Sequence, residues 1–210
     1  MFKVGIIAVA EGIDDKTIQR FVSSIEKSKP SVSYTVKICK GDKSGKFYKT
    51  RHLNSALKEL IPVCEVIIQT DIDLIIPPGL IDEAYERVKR EPNNCYHHTL
   101  RYVESESIDG LEYTDYPFGD WLKLKWIYNS GCFNAMTSET WKRSGGYHPD
   151  MCDWGNEDTW FMNKCKKKVI KYTCNTDFPL VHINHPPRTP KNVKHNKKIV
   201  KDSDYERDWL

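Results

Sequence analysis

Two aspartates one residue apart, Asp71 and Asp73, follow the apolar run Val66-Ile67-Ile68. In an extended segment, side chains at i and i+2 point the same way, so the two carboxylates face one point. Like charges held that close repel unless a cation or a proton stands between them. Hard oxygen donors suit Mg2+ or Mn2+, ions that complete their shells with a substrate's phosphates. Such a pair also arises by chance, and at a strand end it serves equally well as turn or cap residues.

A second acidic pair, Glu157-Asp158, follows Trp154-Gly155-Asn156. One carboxylate placed beside a hydroxyl can take its proton as that hydroxyl attacks. Gly155 lets backbone and ligand come close, and Trp154 offers a flat apolar face for a ligand to stack on. The same two acids open an expected helix, where the positive dipole end favours carboxylates, so simple capping is the competing reading. Arg51 has the forked donors that grip a diphosphate, though a solvated helix arginine looks the same in sequence. His97-His98 has no acids at metal-ligand spacing and is assigned no role.

The elements that must position these residues alternate between strand and helix. Residues 3–9 form a short apolar run fit for a buried strand. Asp14 can cap a helix in which Ile18, Phe21, Val22 and Ile25 share one face, ended by Pro30. A strand over 34–40 follows, then a helix marked by Leu53, Leu57, Leu60 and Ile61 before Pro62. Residues 65–70 form a third strand, leading into Asp71. The next helix spans 79 to about 90, with Leu80, Ile81, Ala84, Tyr85 and Val88 inward. Three β-α units in succession predict an α/β fold, a single Rossmann-like domain whose mainly parallel sheet is flanked by helices. Ligands of such sheets bind beyond the carboxyl ends of the strands, which is where Asp71 and Asp73 fall. The second half is less regular, with strands expected near 96–103 and 169–174 and a helix over 157–167. No Gly/Ser/Pro-rich linker divides the halves, so residues 1–187 read as one domain.

From Arg188 to Lys201 the chain carries Arg188, Lys191, Lys194, Lys197, Lys198 and Lys201 and no acid. Residues 188–210 therefore read as a basic C-terminal arm, either solvated or a lid that meets phosphates. Across the whole 210 residues the net charge of +3 prescribes no partner. Seven cysteines, an odd number with no C-x-x-C, argue against a disulfide framework or zinc ribbon and for reduced thiols. There is no apolar run near the roughly 20 residues of a membrane span, and no signal peptide is expected ahead of the first strand. The expected setting is cytoplasmic. Oligomeric state is not legible. Nucleic-acid binding is disfavoured because the best motif is acidic and no helix-turn-helix or RNA-stacking motif is present. A nucleotidyltransferase would also use paired aspartates, but no Gly-rich phosphate loop follows the first strand.

Four segments, in order, resemble the nucleotide-sugar glycosyltransferases of the GT-A fold. Residues 4–12 resemble the first strand and loop that hold the nucleotide base. Arg51-His52-Leu53-Asn54-Ser55-Ala56 is similar to an Arg-x-x-Asn-x-Gly/Ala element, and residues 69–77 to the D-x-D segment. Residues 131–158, with Gly145-Gly146-Tyr147 and Trp154-Gly155-Asn156-Glu157-Asp158, are similar to the β1,4-galactosyltransferase region ending in Trp-Gly-Gly-Glu-Asp. Within that fold the chain most resembles the family-2 polysaccharide synthases, with the β1,4-galactosyltransferases and polypeptide N-acetylgalactosaminyltransferases further off. Asn156 departs from the Trp-Gly-Gly-Glu-Asp pattern, standing where the second glycine is usual.

The resemblance implies a hexosyltransferase acting on a UDP-sugar and a glycan or glycoconjugate acceptor, inverting or, as the alternative, retaining. It implies a nucleotide-binding half over about 1–76 and an acceptor half over about 95–187. Donor contacts are expected from Ala8, Val9, Ala10, Glu11, Arg51, Asn54, Asp71, Ile72, Trp154 and Gly155. Asp158 is expected as the base, with Glu157 on substrate hydroxyls. The metal, Mn2+ or Mg2+, is expected on Asp71 and Asp73 and on a late histidine, His182 or His185. Imidazole tilts that choice toward Mn2+.

Overall fold

The computed structural model describes residues 1–41, 48–103, 126–127, 133–152, 155–183, 193–202 and 204–210. Among them the strands are β1 (Phe2–Val9), β2 (Tyr34–Cys39), β3 (Cys64–Asp71), β4 (Leu74–Ile75), β5 (Asn94–Val103), β6 (Trp126–Ile127), β7 (Phe133–Thr137) and β8 (Lys171–Ile183). The helices are α1 (Asp15–Ser28), α2 (Lys49–Leu60), α3 (Leu80–Arg90), α4 (Ser138–Ser144), α5 (Glu157–Lys167) and α6 (Val193–Asp202). One sheet runs β2-β1-β3-β7-β5-β8-β4, with β6 beside β5.

The five long strands β1, β2, β3, β5 and β8 all run in one direction. β1 is parallel to β2 and to β3, and β5 is parallel to β8. The sheet is mainly parallel, as the β-α alternation predicts. The reversed strand β7 is wedged between β3 and β5 and lets the second half join the first. Pairing of Val9 with both Cys39 and Asp71 brings the carboxyl ends of β2, β1 and β3 into line.

Alternation along the strands sends apolar residues to both faces of the sheet. Val4, Ile6, Val66 and Ile68 pack with Phe21 and Ile25 of α1 and with Leu80, Ala84 and Val88 of α3. Ile7, Val9 and Ile67 pack against Leu53 and Leu57 of α2, Trp141 of α4, and Trp160 and Phe161 of α5. Asp14 caps α1 as expected, its Oδ1 accepting from the Thr17 N–H at 2.8 Å.

The C-terminal stretch is built into this core over its described part. Ile199, Val200, Tyr205, Trp209 and Leu210 pack on the α2–α5 face. The Trp209 N–H donates to Gly145 O at 2.8 Å. Apolar residues interleaved with the lysines hold α6 down, where a charge count alone gives a free arm. No described helix is long and apolar enough to cross a membrane. The six described cysteines are all free thiols.

Candidate active site

Three chain segments bring candidate side chains together, two carrying acids and one carrying a histidine. β3 delivers Asp71 as its last residue, and Ile72 and Asp73 then form a turn before β4. The two aspartates are thus not both on an extended strand; the turn brings them together instead. Asp73 is buried at 8% exposure. β4 pairs antiparallel with β8, opposing Leu74 to His182, so the His182 Nε2 lies 3.4 Å from Asp73 Oδ2. His185 and Trp154 lie outside the described residues.

The third segment enters through a tight turn. Gly155 has φ 105° and Asn156 φ 69°, both in the left-handed region. Asparagine is one of the few residues besides glycine that visits this region readily, which explains how Asn156 replaces the glycine of the motif. The turn starts α5, and Glu157 Oε2 accepts the Gly155 N–H at 2.8 Å. Glu157 therefore does cap the turn, with its other oxygen directed elsewhere. Asp158 follows, half-buried. Burial pushes its carboxyl well above the ordinary range, and the charge of Glu157 adds to the effect.

Lys49 joins the segments, and reading the sequence missed it. Its Nζ donates to Asp71 Oδ1 at 2.9 Å and to Glu157 Oε1 at 3.1 Å, and the residue is 3% exposed. A signal was available. Lys49 sits at a position of the buried α2 stripe that continues through Leu53, Ala56, Leu57 and Leu60. A lysine there needs an anionic partner, because an unpaired buried ammonium is strongly disfavoured. Burial also raises the Asp71 carboxyl above its ordinary range, with Lys49 opposing and Asp73 reinforcing the rise.

The expected donor residues divide. Ala10 and Glu11 line an open cavity of about 890 Å³ at the ends of β1 and β2, shared with Asp14, Lys40 and Gly41. Ala8, Val9 and Ile72 turn their side chains into the core, leaving only backbone for a ligand. Arg51 stacks over Tyr48 with its guanidinium carbon 3.9 Å from the ring centre, and it donates to Pro149 O and Asp150 Oδ1. Asn54 is buried and pairs its amide with the Tyr147 backbone in both directions, each bond at 2.8 Å. A Cβ on Gly146 would stand 2.6 Å from Asn54 Oδ1, so the Gly145-Gly146 pair makes room for this pin.

Asn196 of α6 secures the loop ahead of α5. It accepts from the Cys152 N–H at 3.2 Å and donates to Cys152 O and Gly155 O, both at 2.9 Å. The basic helix thus meets the site through a neutral amide. Its lysines are not involved in these bonds.

Among the described residues, no group of three or more His, Cys, Asp or Glu side chains forms a complete metal centre. The acids and the imidazole of His182 are nonetheless of the right chemistry for a divalent ion, and Asp73 and His182 are already in contact.

No protein-family model matches the chain, and no curated protein does. Solved structures do. The catalytic domain of Drosophila β1,4-galactosyltransferase 7 in complex with xylobiose aligns over 99% of this chain and 83% of that one, with TM-score 0.65 and 14% identity. GalNAc-T7 with UDP, GalNAc and Mn2+ aligns over 95% of this chain and 47% of that one, with TM-score 0.69 and 13% identity. A variant of the Drosophila enzyme with manganese, UDP-Gal and xylobiose aligns over 98% and 82%, with TM-score 0.61 and 14% identity. At these identities the likeness is one of fold: the chain has the GT-A fold of these glycosyltransferase catalytic domains.

Proposed function

We propose that the chain is a glycosyltransferase that moves a hexose from a UDP-sugar to a hydroxyl of a glycan or glycoconjugate, with Mn2+ assistance and inversion at the anomeric carbon. The observation that carries this reading is the meeting of Asp71, Asp73, His182 and the Glu157-Asp158 pair at one end of a parallel sheet. An open cavity of nucleoside size lies at the neighbouring strand ends. Relatives in fold are named for UDP, Mn2+ and sugar complexes, which supports the same substrate class here.

In this reading Asp73 and His182 hold the divalent ion, with Asp71 and His185 as the further candidates. When bound, the ion supplies positive charge to the leaving diphosphate. The cavity beside Ala10 and Glu11 takes the base. Asp158 accepts the proton of the acceptor hydroxyl as its oxygen bonds to the anomeric carbon. The bond from that carbon to the phosphate oxygen breaks, and UDP leaves with the electron pair. A carboxyl whose proton affinity is raised by burial is a stronger base once ionised. Glu157, held by the Gly155 N–H and Lys49, presents a fixed edge to sugar hydroxyls.

The test is thermal stabilisation by UDP and Mn2+ together. Stabilisation should grow logarithmically with ligand concentration and vanish with EDTA. A melting curve indifferent to both, alone and combined, contradicts the proposal.

A further inference from the structure

Lys49 enters the mechanism above only as a support for Glu157, yet it is a buried cation at the centre of the site. Asp71, Asp73, Glu157 and Asp158 all act electrostatically on one another or on this ammonium. Four carboxyl groups gathered around one ammonium outnumber it, and oxygen donors in excess of the protein's own cation are what a divalent ion requires. The ammonium, however, holds the Asp71 oxygen Oδ1 at 2.9 Å. An ion that uses Asp71 must share that oxygen or take it, and two cations near one carboxylate repel.

We infer that Lys49 is a positioning residue that competes with the divalent ion for Asp71 and so sets the metal affinity. The inference rests on the metal reading proposed above. Without the ion, Lys49 ties β3 to the start of α5 by bridging Asp71 and Glu157. With the ion, the ammonium gives up Asp71 and keeps Glu157, whose second oxygen stays on the Gly155 N–H. Its role in that state is to hold the first turn of α5 against the donor site. Removing a residue from the heart of the site strengthens metal binding.

The experiment is a titration of the purified protein with Mn2+ alone, reading free Mn2+ by its paramagnetic resonance signal. The variants are Lys49→Met, Lys49→Arg, Glu157→Gln and Asp73→Asn. Lys49→Met should bind Mn2+ about tenfold tighter than wild type, the order expected for losing one nearby positive charge. Lys49→Arg should bind as wild type does. Glu157→Gln should bind severalfold more weakly, because Lys49 is then left with Asp71 alone. Asp73→Asn should lose binding. Equal or weaker binding in Lys49→Met, with wild-type binding intact and Asp73→Asn defective, overturns the role of Lys49 and leaves the metal site standing. If Lys49→Met does not fold, unchanged or tighter binding in Glu157→Gln overturns it instead. Absence of Mn2+ binding in the wild type overturns both the metal site and the inference.

Discussion

Asp73 and His182 come from opposite halves of the sequence, yet Oδ2 of one lies 3.4 Å from Nε2 of the other, where β4 pairs with β8. A carboxylate and an imidazole held together this way have the donor chemistry of the Mn2+ site proposed here. Asp73→Asn should abolish Mn2+-dependent stabilisation by UDP while the metal-free melting temperature stays near wild type. His182→Ala should weaken Mn2+ by roughly 10–100-fold, in the range found when a metal site loses a supporting group. Calorimetric titration distinguishes these outcomes. Wild-type Mn2+ affinity in both variants returns the pair to a structural role.

Asn54 is the member of the Arg51–Ala56 element whose environment argues most for structure. Its amide satisfies both the N–H and the C=O of Tyr147 in a buried setting. Asn54→Ala leaves both groups without their partner, so it should destabilise the fold by on the order of 2–4 kcal/mol. The affinity of the folded fraction for UDP and Mn2+ should change less than about threefold, since 1.4 kcal/mol of lost contact would already give tenfold. Denaturant unfolding and a UDP titration measure the two effects. Normal stability with lost UDP binding would place Asn54 on the donor.

The β-α alternation up to residue 90 was legible because each element shows its own period and its own stop, such as Asp14 ahead of α1 and Pro62 after α2. Asp71 and Glu157-Asp158 stood out as candidates because their short-range spacing is visible in the sequence, and the structure brings Asp71 and Glu157 to the same lysine. What escaped was long-range. β7 was read only as a motif, since its five residues Phe133–Thr137 are too short to show alternation against an aromatic background. The turn at Ile72-Asp73 was hidden inside an apolar run that reads as continuous strand. Lys49 looked like one more lysine, because its partners Asp71 and Glu157 lie far away along the chain. Over residues 193–202 the expected arm is a docked helix, because Ile199 and Val200 pack on the core and Asn196 reaches Cys152 and Gly155.

Lys164 clamps the C-terminal segment to the loop that Asn54 pins. Its Nζ donates to Gly145 O, Gly146 O and Arg207 O, and it lies 4.3 Å from the centre of the Trp209 ring. Burial lowers its pKa to about 8, while free lysine titrates near 10.4. Between those values the unfolded chain holds a proton that the folded chain lacks, so stability rises with pH. Relative to Lys164→Met, the wild type should gain on the order of 1 kcal/mol between pH 7 and pH 9. Urea unfolding at the two pH values measures it. A difference that stays flat or shrinks means the ammonium remains charged in the folded protein throughout.

In the reaction proposed here Asp158 is the carboxylate base beside a metal-held UDP-sugar. Asp158→Asn keeps the shape of the side chain and removes its ability to take a proton. A positioned base contributes about 10²–10⁴-fold in rate and acts only in the transition state. The decisive measurement is the initial rate of UDP release from UDP-hexoses with Mn2+ and glycan acceptors, run beside a calorimetric titration of the donor. The wild type should turn over at least one UDP-hexose in an Mn2+-dependent way. Asp158→Asn should lower that rate within the same range, at a donor affinity within a few-fold of wild type. Full activity in Asp158→Asn, or a wild type that forms nucleotide-sugar from UTP instead of consuming it, would rule out Asp158 as the base of a sugar transfer.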